Sequence, residues 1–113
     1  MARQSPVRMI CIYHVKKGAE AKFKKLLTSH WPALHAAGLA TAEPATVMRG
    51  EDKSHGRVAF VEQFSWINAK AAITAHYTPE VREIWDPMMP LLEDMEFLKS
   101  SPVAMPFGAT ARR

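Results

Sequence analysis

The sequence predicts an α+β domain of the ferredoxin-like type, a βαββαβ sandwich in which helices cover one face of an antiparallel sheet. Three observations carry this expectation. Alternating apolar residues mark strands near Val7–Val15 and Val58–Trp66, and each is followed by apolar residues at helical spacing. A polar stretch ending in glycine, Glu51 to Gly56, joins two strand-like runs as a hairpin does.

In the first strand, Val7, Met9, Cys11, Tyr13 and Val15 share one side and Ile10 and Ile12 the other, a pattern expected of a strand covered on both faces. Lys16-Lys17-Gly18 ends it. Ala19, Phe23, Leu26, Leu27, His30 and Leu34 then recur at helical spacing until Gly38 supplies a stop. Pro32 lacks the amide that would bond back to Thr28, so a kink is expected there, or an end and restart near Ser29 or His30.

Glu43 to Gly50 reads as a second strand with Val47 and Met48 as its apolar content, and Pro44 places it at a sheet edge or at a strand start. The third strand sets Val58, Phe60, Glu62, Phe64 and Trp66 on one face and Ala59, Val61, Gln63 and Ser65 on the other, which puts Glu62 among large apolar neighbours. A second helix follows, with Ser65 or Asn68 as its cap and Ala69, Ala72, Ile73 and His76 on one side. Thr78-Pro79 restarts it, with Pro at the first helical position where its missing amide costs nothing, and Val81, Ile84, Trp85 and Met88 continue the apolar stripe. Pro87 and Pro90 make a long straight helix unexpected and predict a break or a short tight turn around Asp86. Met95, Phe97 and Leu98 give a fourth strand.

From Ser101 the composition shifts to Pro, Ala and Gly and ends in Arg112-Arg113, which divides the chain into one domain over 1–100 and a tail over 101–113 with no core of its own. Val103, Met105 and Phe107 are the tail residues suited to packing on a partner. The sheet has a second face, for which Ile10, Ile12, Ala59, Val61 and Leu98 are candidates. A face that apolar is expected to be covered by another subunit, making a homodimer.

A chain of 113 residues holds one such domain and excludes a multidomain enzyme. Its single cysteine, Cys11, excludes a disulfide framework, and no neighbouring basic cluster holds it as a thiolate. No apolar leader core and no run approaching ~20 apolar residues is present, so the expected place is the cytoplasm, with no membrane contact. The net charge is +4, and Lys16, Lys17, Lys22, Lys24 and Lys25 against Glu20 account for all of it, leaving ten basic and ten acidic residues that cancel. Such a run reads as a solvated helix face, with an anionic-ligand or phosphate role as the alternative, and no nucleic-acid partner is expected. His30 and His35 lie five apart, on different helix faces, and His14 and His55 have no acidic or Cys companion at ligand spacing, so no metal site is predicted. Dinucleotide, phosphate-loop and nucleophile-elbow motifs are absent, so no nucleotide cofactor is expected.

Three stretches together resemble the dimeric α+β barrel superfamily and, within it, the antibiotic biosynthesis monooxygenase-like proteins. They are Met-Ile-Cys-Ile-Tyr-His-Val from Met9 running into Lys-Lys-Gly-Ala-Glu and a Phe-containing helix; Phe60-Val61-Glu62-Gln63-Phe64-Ser65-Trp66; and the Ala-x-x-x-His of Ala72 to His76 followed by Thr78-Pro79-Glu80-Val81. The resemblance runs from Val7 to about Leu98, and its motifs mark the fold more than the chemistry. It implies two subunits whose sheets face each other to close a barrel, each with its own pocket between sheet and helices. It also implies a range of activities: oxygenases that need no cofactor and act on aromatic polyketide-like compounds, haem-degrading oxygenases and small isomerases. Other members have no known activity. The haem-degrading branch uses an Asn on the first strand, a Trp on the second helix and a His a few turns later. Here those positions hold Tyr13, His76 and Trp85 or Asp86, so that triad is not reproduced.

Tyr13, Glu62 and His76 are the polar groups expected to converge on the pocket, with Phe23, His30, Phe64, Trp66 and Trp85 as its wall. A histidine near a buried glutamate suits a general base. A cofactor-independent oxygenase needs only a base, an anion stabiliser and a dry cavity, because the deprotonated substrate is itself the electron donor. The functional expectation is such an enzyme acting on a small aromatic or quinol-type compound, with His76 as base, Glu62 beside it, and Tyr13 and Trp66 positioning the substrate. The alternatives are a non-catalytic ligand-binding or structural dimer of the same fold, its pocket filled by its own side chains, and a small isomerase using the same histidine.

Overall fold

The computed structural model describes residues 5–107. Strands β1 (Val7–Val15), β2 (Thr46–Asp52), β3 (Arg57–Trp66) and β4 (Leu92–Ser100) alternate with helices α1 (Glu20–Ala36), α2 (Ala71–His76) and α3 (Pro79–Met88), and a short 3-10 turn, Met89–Leu91, leads into β4. The strands form one antiparallel sheet in the order β2-β3-β1-β4, the predicted ferredoxin-like arrangement. No helix among the described residues is long and apolar enough to cross a membrane.

Pairing on both edges makes β1 the strand on which the sheet is registered. Its odd-numbered residues Cys11, Tyr13 and Val15 join Phe60, Glu62, Phe64 and Trp66 of β3 on the face under the helices, all buried. Cys11 lies opposite Glu62 on one side and Phe97 on the other; Tyr13 lies opposite Phe60 and Met95. On the far face Ile10 and Ile12 stand between Val61 and Gln63 of β3 and Glu96 and Leu98 of β4. Ile10, Ile12, Ala59 and Val61 are only half-buried there, while Leu98 and Met48 are 49% and 68% exposed. His14 is buried on that same face and bonded to Glu96 through Nε2 at 2.9 Å.

Four expectations about boundaries change. Helix α1 runs unbroken through Pro32, which is exposed. An interior proline costs about 3 kcal/mol, but Phe23, Leu27, His30 and Leu34 form one buried stripe spanning it. Burial of the three apolar members, at about 1.5–3 kcal/mol each, exceeds that cost. Likewise α3 passes through Asp86 and Pro87, and the chain tightens only at Met89–Leu91. The second helix starts later than expected, at Ala71, and its stripe is out of phase with the one read from the sequence: Ala71 and Ala75 are buried while Ile73 is 63% exposed. Ser65 belongs to β3, and Asn68 holds the turn before the helix by accepting the Lys70 amide on Oδ1 at 2.9 Å. Finally, β2 begins at Thr46, beyond Pro44, and runs on to Asp52, leaving Lys53 to Gly56 as the turn, with Gly56 in the left-handed region at φ +59. It is the edge strand that Pro44 suggested.

The described part of the tail, 101–107, is exposed and has no regular structure; Arg112-Arg113 lie outside the described residues. Phe23→Ala is expected to lower unfolding free energy by about 3–5 kcal/mol in urea titrations. Ile73→Ala, by contrast, is expected to change it by less than about 0.5 kcal/mol, which checks the helix phase.

Candidate active site

Between the sheet and the helices lies a cavity of about 520 Å³. The sheet supplies its floor: Met9, Cys11 and Tyr13 from β1, Phe64 and Trp66 from β3, Met95 and Phe97 from β4. The helices supply the rest, His30 from α1, Ala72 and His76 from α2, and Arg82, Trp85, Asp86 and Met88 from α3, with Met89 just beyond. Most of this lining is apolar, so the few polar groups decide what the space can do.

Two of them, Tyr13 and His30, are anchored on Glu62, which is fully buried behind the cavity floor. The Tyr13 hydroxyl donates to Glu62 Oε1 at 2.6 Å, and His30 Nδ1 lies 3.0 Å from both carboxyl oxygens. On the other side of the imidazole, Trp85 Nε1 donates to His30 Nε2 at 2.8 Å. An indole nitrogen can only donate, so His30 Nε2 is an acceptor and carries no proton. The neutral tautomer is therefore fixed, with its proton on Nδ1 and aimed at Glu62. A neutral histidine oriented by a buried carboxyl group is the arrangement that readies Nε2 to take a proton and then stabilises the imidazolium.

Burial lifts the Tyr13 phenol well above its ordinary range, and the neighbouring Glu62 charge adds to this. Tyr13 consequently remains a hydrogen-bond donor. Burial, reinforced by Glu62, pushes the Cys11 thiol up to about 12, so it lines the cavity as an unreactive thiol.

Of the residues expected at the site, Tyr13, His30, Phe64, Trp66, His76 and Trp85 line one cavity, and Glu62 sits directly behind Tyr13 and His30. Phe23 does not line it. Its ring lies 5.1 Å from Tyr13 and 5.6 Å from Phe60, in the core behind the site. The histidine beside Glu62 is His30. His76 stands exposed on the cavity wall, its ring edge-to-face with Trp85 at 5.0 Å. The sequence reading also missed Arg82 and Asp86, which are ion-paired at 3.0 Å, with Arg82 donating to the His76 carbonyl at 3.1 Å. One signal was available: His30 shares a helical stripe with Phe23, Leu27 and Leu34, so it had to face the sheet that carries Glu62. Among the described residues no three His, Cys, Asp or Glu side chains come together as metal ligands.

The fold and site define a ferredoxin-like α+β domain with a largely apolar cavity that opens to solvent and a buried Tyr-Glu-His network at its base. Comparison with solved structures places that architecture. The chain is similar to SnoaB, a cofactor-independent oxygenase from Streptomyces nogalater, with a TM-score of 0.65 and 17% identity over 90% of this chain and 98% of that one. It is also similar to a candidate antibiotic biosynthesis monooxygenase from Nitrosomonas europaea, with a TM-score of 0.66 and 10% identity over 91% and 95% of the two chains. A protein of the same description from Bacteroides thetaiotaomicron gives 0.64 and 10% over 90% and 93%. The chain thus shares its ferredoxin-like α+β fold with these solved structures. No family model and no curated protein matches the sequence.

Glu62→Ala leaves the Tyr13 hydroxyl and the His30 Nδ1–H buried without an acceptor, and is expected to cost about 3–5 kcal/mol of stability in denaturant titrations. The raised Cys11 and Tyr13 values make the native state hold protons that the unfolded chain releases. The Cys11 contribution is therefore complete below the ordinary thiol value of 9.0 and is lost as pH rises from there toward about 12, and that of Tyr13 is complete below the ordinary phenol value of 10.0 and is lost above it. Unfolding midpoints are expected to fall across that window, and less steeply in Cys11→Ala.

Proposed function

We propose that this chain is a cofactor-independent oxygenase that binds a small aromatic or quinol-type compound in the cavity between sheet and helices. The observation that carries this reading is an open cavity of about 520 Å³ whose apolar walls end in the Tyr13–Glu62–His30 network. Packing by Phe64, Trp66 and Trp85 would have favoured a purely structural dimer, yet these three side chains border the space without filling it. The similarity to SnoaB supports the same class.

In this scheme the aromatic body of the ligand occupies the apolar space, and an imidazole in the cavity removes an acidic proton. The resulting anion is the reductant and molecular oxygen the oxidant. Oxygen adds at the activated ring carbon, which in the keto tautomer is a methylene. Loss of one water leaves a carbonyl there, so that one methylene and one molecule of oxygen give one carbonyl and one molecule of water. The protein supplies the dry cavity, the proton acceptor and the orientation. Tyr13, held as a donor to Glu62, keeps the carboxyl group aligned on His30. His76, Arg82 and Asp86 provide the polar part of the lining.

The active form in this proposal is a homodimer that buries the far face of the sheet. Ile10, Ile12 and Val61 are half-buried there and Leu98 and Met48 exposed, an apolar strip that a second copy covers.

Oxygen uptake with naphthols, anthrones and hydroquinones tests the chemistry. Substrate-dependent uptake with matching quinone formation is the expected result; absence of both binding and uptake across the panel overturns the reading. Sedimentation at micromolar concentration is expected to give twice 12.7 kDa, and Ile12→Glu on the open face to give the single-chain mass. A monomer mass for the unaltered chain removes the dimer from the proposal.

A further inference from the structure

We infer that His30 is the proton acceptor of this site, and that Trp85 holds it in reserve by occupying, with its indole N–H, the place where a ligand hydroxyl would donate. The inference rests on the proposed aromatic ligand and deepens that reading by naming the atom that takes the proton and the side chain that must give way.

An imidazole nitrogen without a proton has one in-plane lone pair. At His30 Nε2 that lone pair is taken by Trp85 Nε1–H at 2.8 Å. On the opposite side, Nδ1 is fixed on both oxygens of Glu62 at 3.0 Å, with the carboxyl group further held by Tyr13 at 2.6 Å. Everything a general base requires is assembled on the Nδ1 side, and only the accepting atom is covered. His30 and Trp85 both line the cavity, so the donor that covers Nε2 shares its space with any ligand that enters. A phenolic or enolic O–H is a donor of the same kind as an indole N–H, and a ligand presenting one satisfies Nε2 equally well when the indole turns aside.

Trp85 stands near the C-terminal end of α3. Pro87, two residues on, has no amide to return to the preceding turn, and the helix ends at Met88 in a 3-10 turn. Trp85 is only half-buried, with the exposed His76 ring packed edge-to-face on it at 5.0 Å. The step itself is a single proton transfer: the ligand O–H bond breaks, an N–H bond forms at His30 Nε2, the electron pair stays on the ligand oxygen, and Glu62 faces the imidazolium. His30 has what His76 lacks, a buried carboxyl group on its far nitrogen.

The test uses 4-nitrophenol, whose phenolate absorbs in the visible, at a pH below its own pKa. The intact protein is expected to bind it with the phenolate spectrum. Trp85→Phe, which removes the competing N–H and keeps a ring, is expected to bind it about three- to tenfold more tightly, the range set by one neutral hydrogen bond. His30→Gln is expected to bind it as the neutral phenol, while His76→Ala keeps the phenolate signal. Bound probe that stays neutral in both the intact protein and Trp85→Phe overturns the inference and leaves the cavity reading standing. So does a phenolate signal that survives His30→Gln and disappears in His76→Ala, which makes His76 the base. Failure of the probe to bind any of the four proteins overturns the aromatic-ligand reading and the inference with it.

Discussion

Glu62 has no solvent exposure, so its carboxyl group has to find every hydrogen bond inside the protein. It finds them on two other elements, at Tyr13 of β1 and His30 of α1. That requirement fixes the relative placement of sheet and first helix: β1 must pair with β3 in the register that sets Cys11 against Glu62, and α1 must lie so that its buried stripe brings His30 down onto the sheet. The remaining features of the site follow. Trp85 reaches His30 because α3 packs beside α1, and His76 reaches Trp85 because α2 runs directly into α3.

A polar cluster in an apolar core is costly unless each group is satisfied, and a fully satisfied one specifies a single arrangement. Tyr13, Glu62 and His30 use their donors and acceptors on each other, and the remaining imidazole nitrogen takes the indole hydrogen of Trp85. The network is therefore stable without a ligand. In the proposed reaction the same completeness means that chemistry begins with an exchange of partners, in which a donor from the ligand replaces a donor from the protein. Around this centre the cavity wall includes Met9, Met88, Met89 and Met95, flexible side chains suited to closing on flat molecules of different outline.

The two faces of the sheet serve different ends. Under the helices, large aromatic and aliphatic residues leave a cavity at one end and a packed core around Phe23 at the other. On the far face, the smaller and β-branched residues of the central strands lie flat and partly exposed, with His14 and Glu96 bonded along one margin. The cavity between sheet and helices thus lies on the opposite side of the sheet from the surface proposed for subunit pairing.

Much of the fold was legible in the residue pattern, because a period of two or of about 3.6 is a local property that backbone geometry imposes. The alternation through Val58, Phe60, Glu62, Phe64 and Trp66 determined which face is buried, and Thr78-Pro79 determined where α3 starts. Local rules failed where tertiary burial outweighed them: Pro32 and Pro87 sit inside continuous helices, and the stripe of α2 is displaced from the one drawn through Ile73. The site divides in the same way. That Tyr13, Glu62 and several aromatic residues face one interior follows from strand alternation alone. Which histidine meets Glu62 does not, since His30 and His76 lie 32 and 14 residues from it in sequence and both sit on helices above the same sheet. Only the packing of α1 across the strands decided for His30, because hydrogen bonds reach about 3 Å and sequence spacing carries no information about distances between elements.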